Sequence, residues 1–204
     1  NILVTGGTGM IGRQLVTKLC DLNSKVTSVS MDDLKLDDRA KYIKIDLTNI
    51  DNCNEVTKDI DIVFHVAGIK GSIEVTKSKP ASFMVPMLMF NTNILEASRL
   101  NNVKNLIFTS SIGAYSSAEI FIERDSEESE PPMDFYPGWA KRMAELQIQA
   151  YKEQYDLNWC VVRPSNIYGP GDNFDEKNAM VIPSLISKIY KKQFPLKVWG
   201  DGSS

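Results

Sequence analysis

The chain has 204 residues, 23 Lys and Arg against 26 Asp and Glu for a formal charge of −3, and 43% hydrophobic residues. Charges of both signs are interspersed and the balance is slightly acidic, which excludes nucleic acid or an anionic membrane surface as the main partner, since either calls for a basic face. The longest apolar run, FMVPMLMF, contains Pro86 and is too short to cross a bilayer.

Taken in chain order, short β-branched runs alternate with longer amphipathic segments, the pattern of βαβ units and a doubly wound parallel α/β sheet. Strands are predicted over Ile2 to Thr5, Lys25 to Val29, Tyr42 to Ile45, Ile60 to Val66, Asn105 to Thr109 and Trp159 to Arg163. Helices are predicted over Met10 to Asp21, Ala81 to Leu100 and Trp139 to Tyr155; in the first, Ile11, Leu15, Val16 and Leu19 recur at helical spacing. The stretch from Glu119 to Asp134 is acidic, rich in Pro and Ser and without period, and reads as a surface loop. Both ends look cut: the chain opens inside NILVTGG without a Met and stops at VWGDGSS, so it reads as part of a longer protein. Cys20, Cys53 and Cys160 are too few and too scattered for a disulfide framework or a Cys metal site, and a reducing cytoplasm is the expected location.

Between the first strand and helix, TGGTGMIG places Gly6, Gly9 and Gly12 at three-residue spacing. In a dinucleotide fold the first glycine makes the tight turn, the second lets backbone N–H groups approach the pyrophosphate, and the third allows close helix-sheet contact. The helix N-terminus adds partial positive charge for the phosphates. Twenty residues beyond Gly12, past the second strand, Asp32 or its neighbour Asp33 stands where a carboxylate accepts the ribose hydroxyls of NAD and repels a 2′-phosphate. Arg13, Lys35 and Arg39 lie near enough in sequence to keep NADP possible.

TGGTGMIG resembles the TGxxGxxG of short-chain dehydrogenases/reductases, in particular the extended branch of NAD-dependent epimerases and dehydratases acting on nucleotide sugars. Further matches run along nearly the whole chain. Asp46-Leu47 is similar to the family's adenine contact, and HVAG, with Ala67 and Gly68, to the strand end beside the nicotinamide ribose. FTSSIGAY resembles the strand carrying the catalytic Ser or Thr, which falls on Ser111. RPSNIYGPGDNF, VIPSLI and VWGDG are similar to substrate-side elements, and DNFDEKNAMVIPSLI is most similar to GDP-fucose synthase-like members. Met180 stands where those members have a His, and the ribose site is acidic instead of arginine-rich.

The resemblance implies hydride transfer through a transient keto-sugar, with a Tyr and a Lys four residues apart on one helix and a Ser or Thr completing the proton path. GWAKRMAELQ matches at Lys141, which would also hold the nicotinamide ribose, but Pro137 occupies the tyrosine position. Tyr136 is one residue too early, a rotation of about 140° along a regular helix. If the helix starts at Pro137, Tyr136 becomes a non-helical cap residue and can serve as the base. Tyr115, or a missing base, is the competitor.

Bland readings stand beside these. Ser111 could merely end a strand, and Lys141 could be an ordinary helix lysine. His65, the single histidine, reads as a packed core residue, and with no second histidine neither a hydrolytic triad nor a zinc site can be built. Asn166 could hold a sugar or diphosphate oxygen or simply make a turn. Met143, Leu146 and Ala150 form a stripe that is core or dimer surface, and the resemblance implies a homodimer through a four-helix bundle.

The expected organisation is an NAD-binding domain over residues 1–167 and the start of a substrate-binding part over 168–204. The expected coenzyme contacts are Gly6, Gly9, Met10, Ile11, Gly12, Asp32, Asp46, Leu47, Ala67, Gly68 and Lys141; Ser111 and Asn166 face a nucleotide-diphosphate sugar. Two other readings remain open: an NAD-binding sensor or scaffold with an impaired site, and a dehydrogenase of another small alcohol.

Overall fold

A computed structural model describes residues 1–69, 71, 73–123, 130–176 and 178–198. Six strands, β1 (Ile2–Thr5), β2 (Val26–Ser30), β3 (Lys41–Lys44), β4 (Ile62–His65), β5 (Asn105–Thr109) and β6 (Asn158–Val162), form one sheet in the order 3-2-1-4-5-6. Every neighbouring pair is parallel, so each connection must cross over a face of the sheet. The helices α1 (Met10–Asp21), α2 (Ile50–Val56), α3 (Ile73–Ser78), α4 (Pro80–Leu100) and α5 (Phe135–Tyr155) supply these crossovers except that from β2 to β3, which runs through residues 31–40 without a helix, and α6 (Val181–Tyr190) follows the last strand.

Alternation along β1 divides the core in two. Ile2 and Val4 point to one face and pack with Val16, Leu19 and Cys20 of α1; Leu3 points to the other, with Cys53 of α2, Ile94 and Leu95 of α4 and Ile148 of α5. A strand covered on both faces is largely apolar, and β1, ILVT, is wholly buried, with the hydroxyl of its one polar residue, Thr5, hydrogen-bonded. In α4, Pro86 interrupts neither the helical run nor the packing of Met87 and Phe90 beside it. No helix among the described residues is long and apolar enough to cross a membrane.

The boundaries differ from the sequence expectation mainly where segments are short. Helices α2 and α3, with seven and six residues, lie in stretches too brief to show a helical period. A 3-10 turn over Ile112–Ala114 follows β5 and is capped by Ser111, whose Oγ accepts from Gly113 N at 3.1 Å. Within Glu119 to Asp134, Pro132 forms an antiparallel bridge back to Ser116, which precedes the segment; residues 124–129 of that loop, and the VWGDG run from residue 199 on, lie outside the described residues.

The strand order reverses at β1: the chain moves outward through β2 and β3, then returns to place β4 on the opposite side of β1. In open parallel sheets the crevice beyond the carboxyl ends of the strands at such a reversal is where ligands bind. Here it is bounded by the turn after β1 and the segment after β4.

Candidate active site

The turn after β1 is built for close approach. Gly6 has φ +66°, in the left-handed region, and a Cβ there would lie 2.8 Å from Ala67 Cα, so the segments after β1 and β4 touch backbone to backbone. Gly12 is pressed against the same turn: a Cβ would overlap Gly6 O and come within 2.7 Å of Gly7 Cα. Gly9 differs, since a Cβ there meets only Gly6 O, at 3.3 Å, and the residue is exposed. The protein's own packing does not demand glycine at that place, whereas a phosphate drawn against the backbone would. The first ladder bond of α1 runs from Arg13 N to Gly9 O at 2.9 Å, so the N–H groups of Met10, Ile11 and Gly12 precede the ladder.

The acidic residues after β2 separate cleanly. Thr8, in the glycine-rich turn, donates its hydroxyl to Asp32 Oδ2 at 2.8 Å, and Leu34 N donates to Oδ1 at 3.0 Å. Asp33 instead pairs with Lys44 at 2.9 Å. Of the two carboxylates, Asp32 is the one brought to the turn. Arg39 forms ion pairs with Asp37 at 2.7 Å and Asp21 at 2.8 Å, and its guanidinium beside Asp37 holds that carboxyl down at about 2. Arg13 Nη2 donates to Thr8 O at 2.8 Å, and Lys35 is exposed. Asp46 Oδ1 accepts from Thr48 N and Oγ1, each at 2.8 Å, in the turn that opens α2, and Leu47 beside it is buried.

Lys141 reaches the same edge from α5. Although on a helix, it is only 8% exposed; its Nζ donates to Thr109 O at 2.7 Å, lies 4.8 Å from the Phe108 ring centre, and is 3.9 Å from where a Cβ of Gly68 would stand. An ordinary surface lysine is not held in this way. Ser111, two residues beyond Thr109, is half-buried at the mouth of the 3-10 turn.

His65 is fully buried, as the core reading expected. Thr5 Oγ1 accepts from Val66 N and Ala67 N at 3.2 Å, so its own proton goes to His65 Nδ1 at 2.7 Å. His65 Nε2 then donates to Asn91 Oδ1 at 2.9 Å, and Asn91 Nδ2 to Ala140 O at 3.4 Å. Burial, and next the charge of Lys141, push the imidazole down to about 3.

The helix start needs correction. It does not begin at Pro137 with Tyr136 as a non-helical cap: α5 starts at Phe135 after the cap residue Asp134, and Tyr136 lies in its first turn. The physical reason is that the first ladder bond is donated by Gly138 N to Asp134 O at 2.7 Å, so proline one residue earlier forfeits no bond. Tyr136 is 43% exposed and meets Phe135 edge-on at 5.1 Å. Its helical rotation of about 140° from Lys141 stands. Tyr115 follows the 3-10 turn, with the Arg163 guanidinium 4.5 Å from its ring centre. Asn166 and Met180 are exposed, on the loop after β6 and at the cap of α6. Met143, Leu146 and Ala150 are also exposed, so this stripe is surface and not core.

Several residues at this edge were not singled out from sequence. Ser110 Oγ donates to Glu145, which also takes both Nε and Nη2 of Arg163, joining β5, α5 and the end of β6. Arg142 is 2% exposed and holds Ala114 O and Glu130 O at 2.6 Å and Ser116 Oγ at 3.0 Å. The spacing of Glu145 one turn after Lys141 was a signal, but its partners are distant in sequence.

The model of the NAD dependent epimerase/dehydratase family matches residues 2–204. The chain belongs to that family. Among relatives of this epimerase/dehydratase chain, a putative UDP-glucose 4-epimerase of Methanocaldococcus jannaschii is 30% identical, across 99% of this chain and 67% of that protein. In structure it is similar to UDP-N-acetylglucosamine 4-epimerase of Methanobrevibacter ruminantium in complex with UDP-N-acetylmuramic acid (TM-score 0.83, 30% identity, 99% of this chain and 66% of the other). A GDP-L-fucose synthetase of Naegleria fowleri bound to NADP is also similar (TM-score 0.79, 26% identity, 98% and 66%). The chain thus spans about two thirds of the length of these relatives.

Proposed function

We propose that this chain binds NAD across the crevice at the reversal of the sheet and carries the hydride-transfer half of a nucleotide-sugar epimerase, dehydratase or reductase. What supports the reading is a convergence: a glycine-rich turn with unladdered N–H groups, Asp32 tied to that turn by Thr8, and the buried Lys141 all meet at the carboxyl ends of β1, β4 and β5. The residues fit a dinucleotide, since among the described residues a Cβ at Gly9 would meet, apart from its chain neighbours, only Gly6 O within 4 Å. Its diphosphate would be held by the N–H groups of Met10, Ile11 and Gly12 and its adenosine ribose by Asp32. Asp46, Leu47, Ala67 and Gly68 would flank the remainder. When bound, the nicotinamide supplies a hydride acceptor or donor.

The chain's own residues handle the proton. Lys141 places an ammonium beside Gly68 and next to the strand bearing Ser111, where it favours an oxyanion and can hold a ribose hydroxyl. Ser111 offers a hydroxyl to the substrate oxygen and relays its proton. The acceptor must be a tyrosine phenolate: either Tyr136, which its place in the first turn of α5 turns about 140° away from Lys141, or Tyr115 beside Arg163. Tyr136→Phe and Tyr115→Phe decide between them, the variant that loses about 10²- to 10⁴-fold in kcat marking the base.

Residues 1–167 act in this proposal as the coenzyme-binding domain, and 168–204 open the part that holds the nucleotide-diphosphate sugar, Asn166 lying at the boundary. A homodimer through α4 and α5 is supported by Val85, Met89, Met143 and Leu146, each at least 40% exposed. The three unpaired cysteines support a cytoplasmic location. Absorbance at the nicotinamide band, with NAD and a panel of nucleotide sugars, tests the reading: reduction with at least one sugar supports it. NAD binding without any reduction across the panel would favour a sensor.

A further inference from the structure

Arg13 stands in the first turn of α1, where a cation opposes the positive end of the helix dipole. Its position is nonetheless fixed on two sides. Nη2 donates to Thr8 O at 2.8 Å, and Thr8 in turn holds Asp32, so the guanidinium braces the segment that presents the ribose carboxylate. From the other side Gly171 of the loop between β6 and α6 presses on it: a Cβ at Gly171 would come within 2.7 Å of Nη1 and 2.8 Å of Nε. Gly171 has φ +86°, so that tight contact is made with a backbone shape other residues rarely adopt. This is the point at which the substrate-side loop meets the glycine-rich turn.

Two polar atoms in this region are buried and, among the described residues, have no hydrogen-bond partner: Arg13 Nε and Asp172 Oδ2. They belong to groups of opposite charge, and Asp172 directly follows the glycine that touches the guanidinium. The other Asp172 oxygen accepts from Asn173 N at 2.7 Å, while Asp172 N donates to Gly169 O at 3.1 Å, so a turn already shapes this stretch. Leaving a buried donor and a buried acceptor unmet costs free energy, which joining them would recover.

We propose that Arg13 is a positioning residue that couples the dinucleotide crevice to the substrate-side loop. A diphosphate anion over the start of α1 relieves the unfavourable placement of the guanidinium, fixes Arg13 and Thr8 together, and draws Asp172 onto Arg13 Nε, ordering residues 169–172. The coupling rests on the dinucleotide reading given above. Its functional meaning is order of events: the sugar side of the site is completed only once the coenzyme is seated.

Amide hydrogen exchange of the whole chain, with and without NAD, tests this. NAD is expected to slow exchange at least about fivefold both in residues 5–13 and in residues 168–174. In Asp172→Asn, which keeps the shape and removes the charge, protection of 5–13 persists and that of 168–174 disappears. Arg13→Met abolishes the response of 168–174 and also weakens NAD binding severalfold. Protection of 5–13 with an unresponsive 168–174 in the unaltered chain, or an undiminished response in Asp172→Asn, overturns the coupling and leaves the coenzyme reading intact. Protection at neither segment overturns both.

Discussion

Gly12 tolerates no side chain, because a Cβ there would overlap Gly6 O and crowd Gly7 Cα, both backbone atoms that cannot swing aside. Gly12→Ala is expected to destabilise the chain by about 1–3 kcal/mol, read from the urea midpoint, and to abolish NAD binding. Gly9→Ala separates the two effects: with only Gly6 O nearby, at 3.3 Å, stability should change by less than about 1 kcal/mol while NAD affinity falls at least tenfold. At the chemical end of the site, Ser111→Ala is expected to lower kcat about 10²-fold or more with KM little changed, since its hydroxyl matters only as the proton moves. Retention of full turnover would remove Ser111 from the proton path. The glycines, Asp32 and Lys141 could be singled out in the sequence because their placement depends on near neighbours or on a fixed position after an element. Thr8 and Asp172 were not, since their significance arises only from atoms that folding brings beside them.

At the level of elements, α5 does the most to assemble the site. It delivers Lys141 to Thr109, Arg142 to the segment after the 3-10 turn, and Glu145 to Ser110 and Arg163. The Glu145–Arg163 pair is mostly shielded, with both side chains 11% exposed, so removing the carboxylate charge leaves the guanidinium shielded without this counter-charge. Glu145→Gln is expected to cost about 2–3 kcal/mol by denaturant titration, more than an exposed pair such as Lys44–Asp33 would. Strand and helix order was readable from alternating periods, and α1 and β5 appear at the expected residues. The sequence pattern places the start of α5 at Trp139, four residues late, or at Pro137 in the alternative, because a proline at the third helical position is as harmless as one at the first. Ser110, Glu145 and Arg163 are 35 and 18 residues apart, and no local pattern announces such a cluster.

The whole molecule carries a pH dependence through one buried residue. His65 titrates at about 3 when folded against 6.5 ordinarily, so below pH 6.5 the unfolded chain binds a proton the folded chain refuses. The stability this group contributes is therefore fully present above pH 6.5 and falls as pH drops toward 3. Urea midpoints measured across that window should fall as pH drops, and a variant with His65→Gln should make the fall shallower. The 3-2-1-4-5-6 order itself puts the glycine-rich turn, Gly68 and Lys141 at one edge, so the site is a consequence of topology as much as of its residues. The most direct measurement is titration calorimetry of the chain with NAD and with NADP. One NAD per chain, bound at least tenfold more tightly than NADP and lost in Gly12→Ala, is the expected result. Uptake of neither coenzyme, or tighter binding of NADP, would contradict the reading of the glycine-rich turn and Asp32.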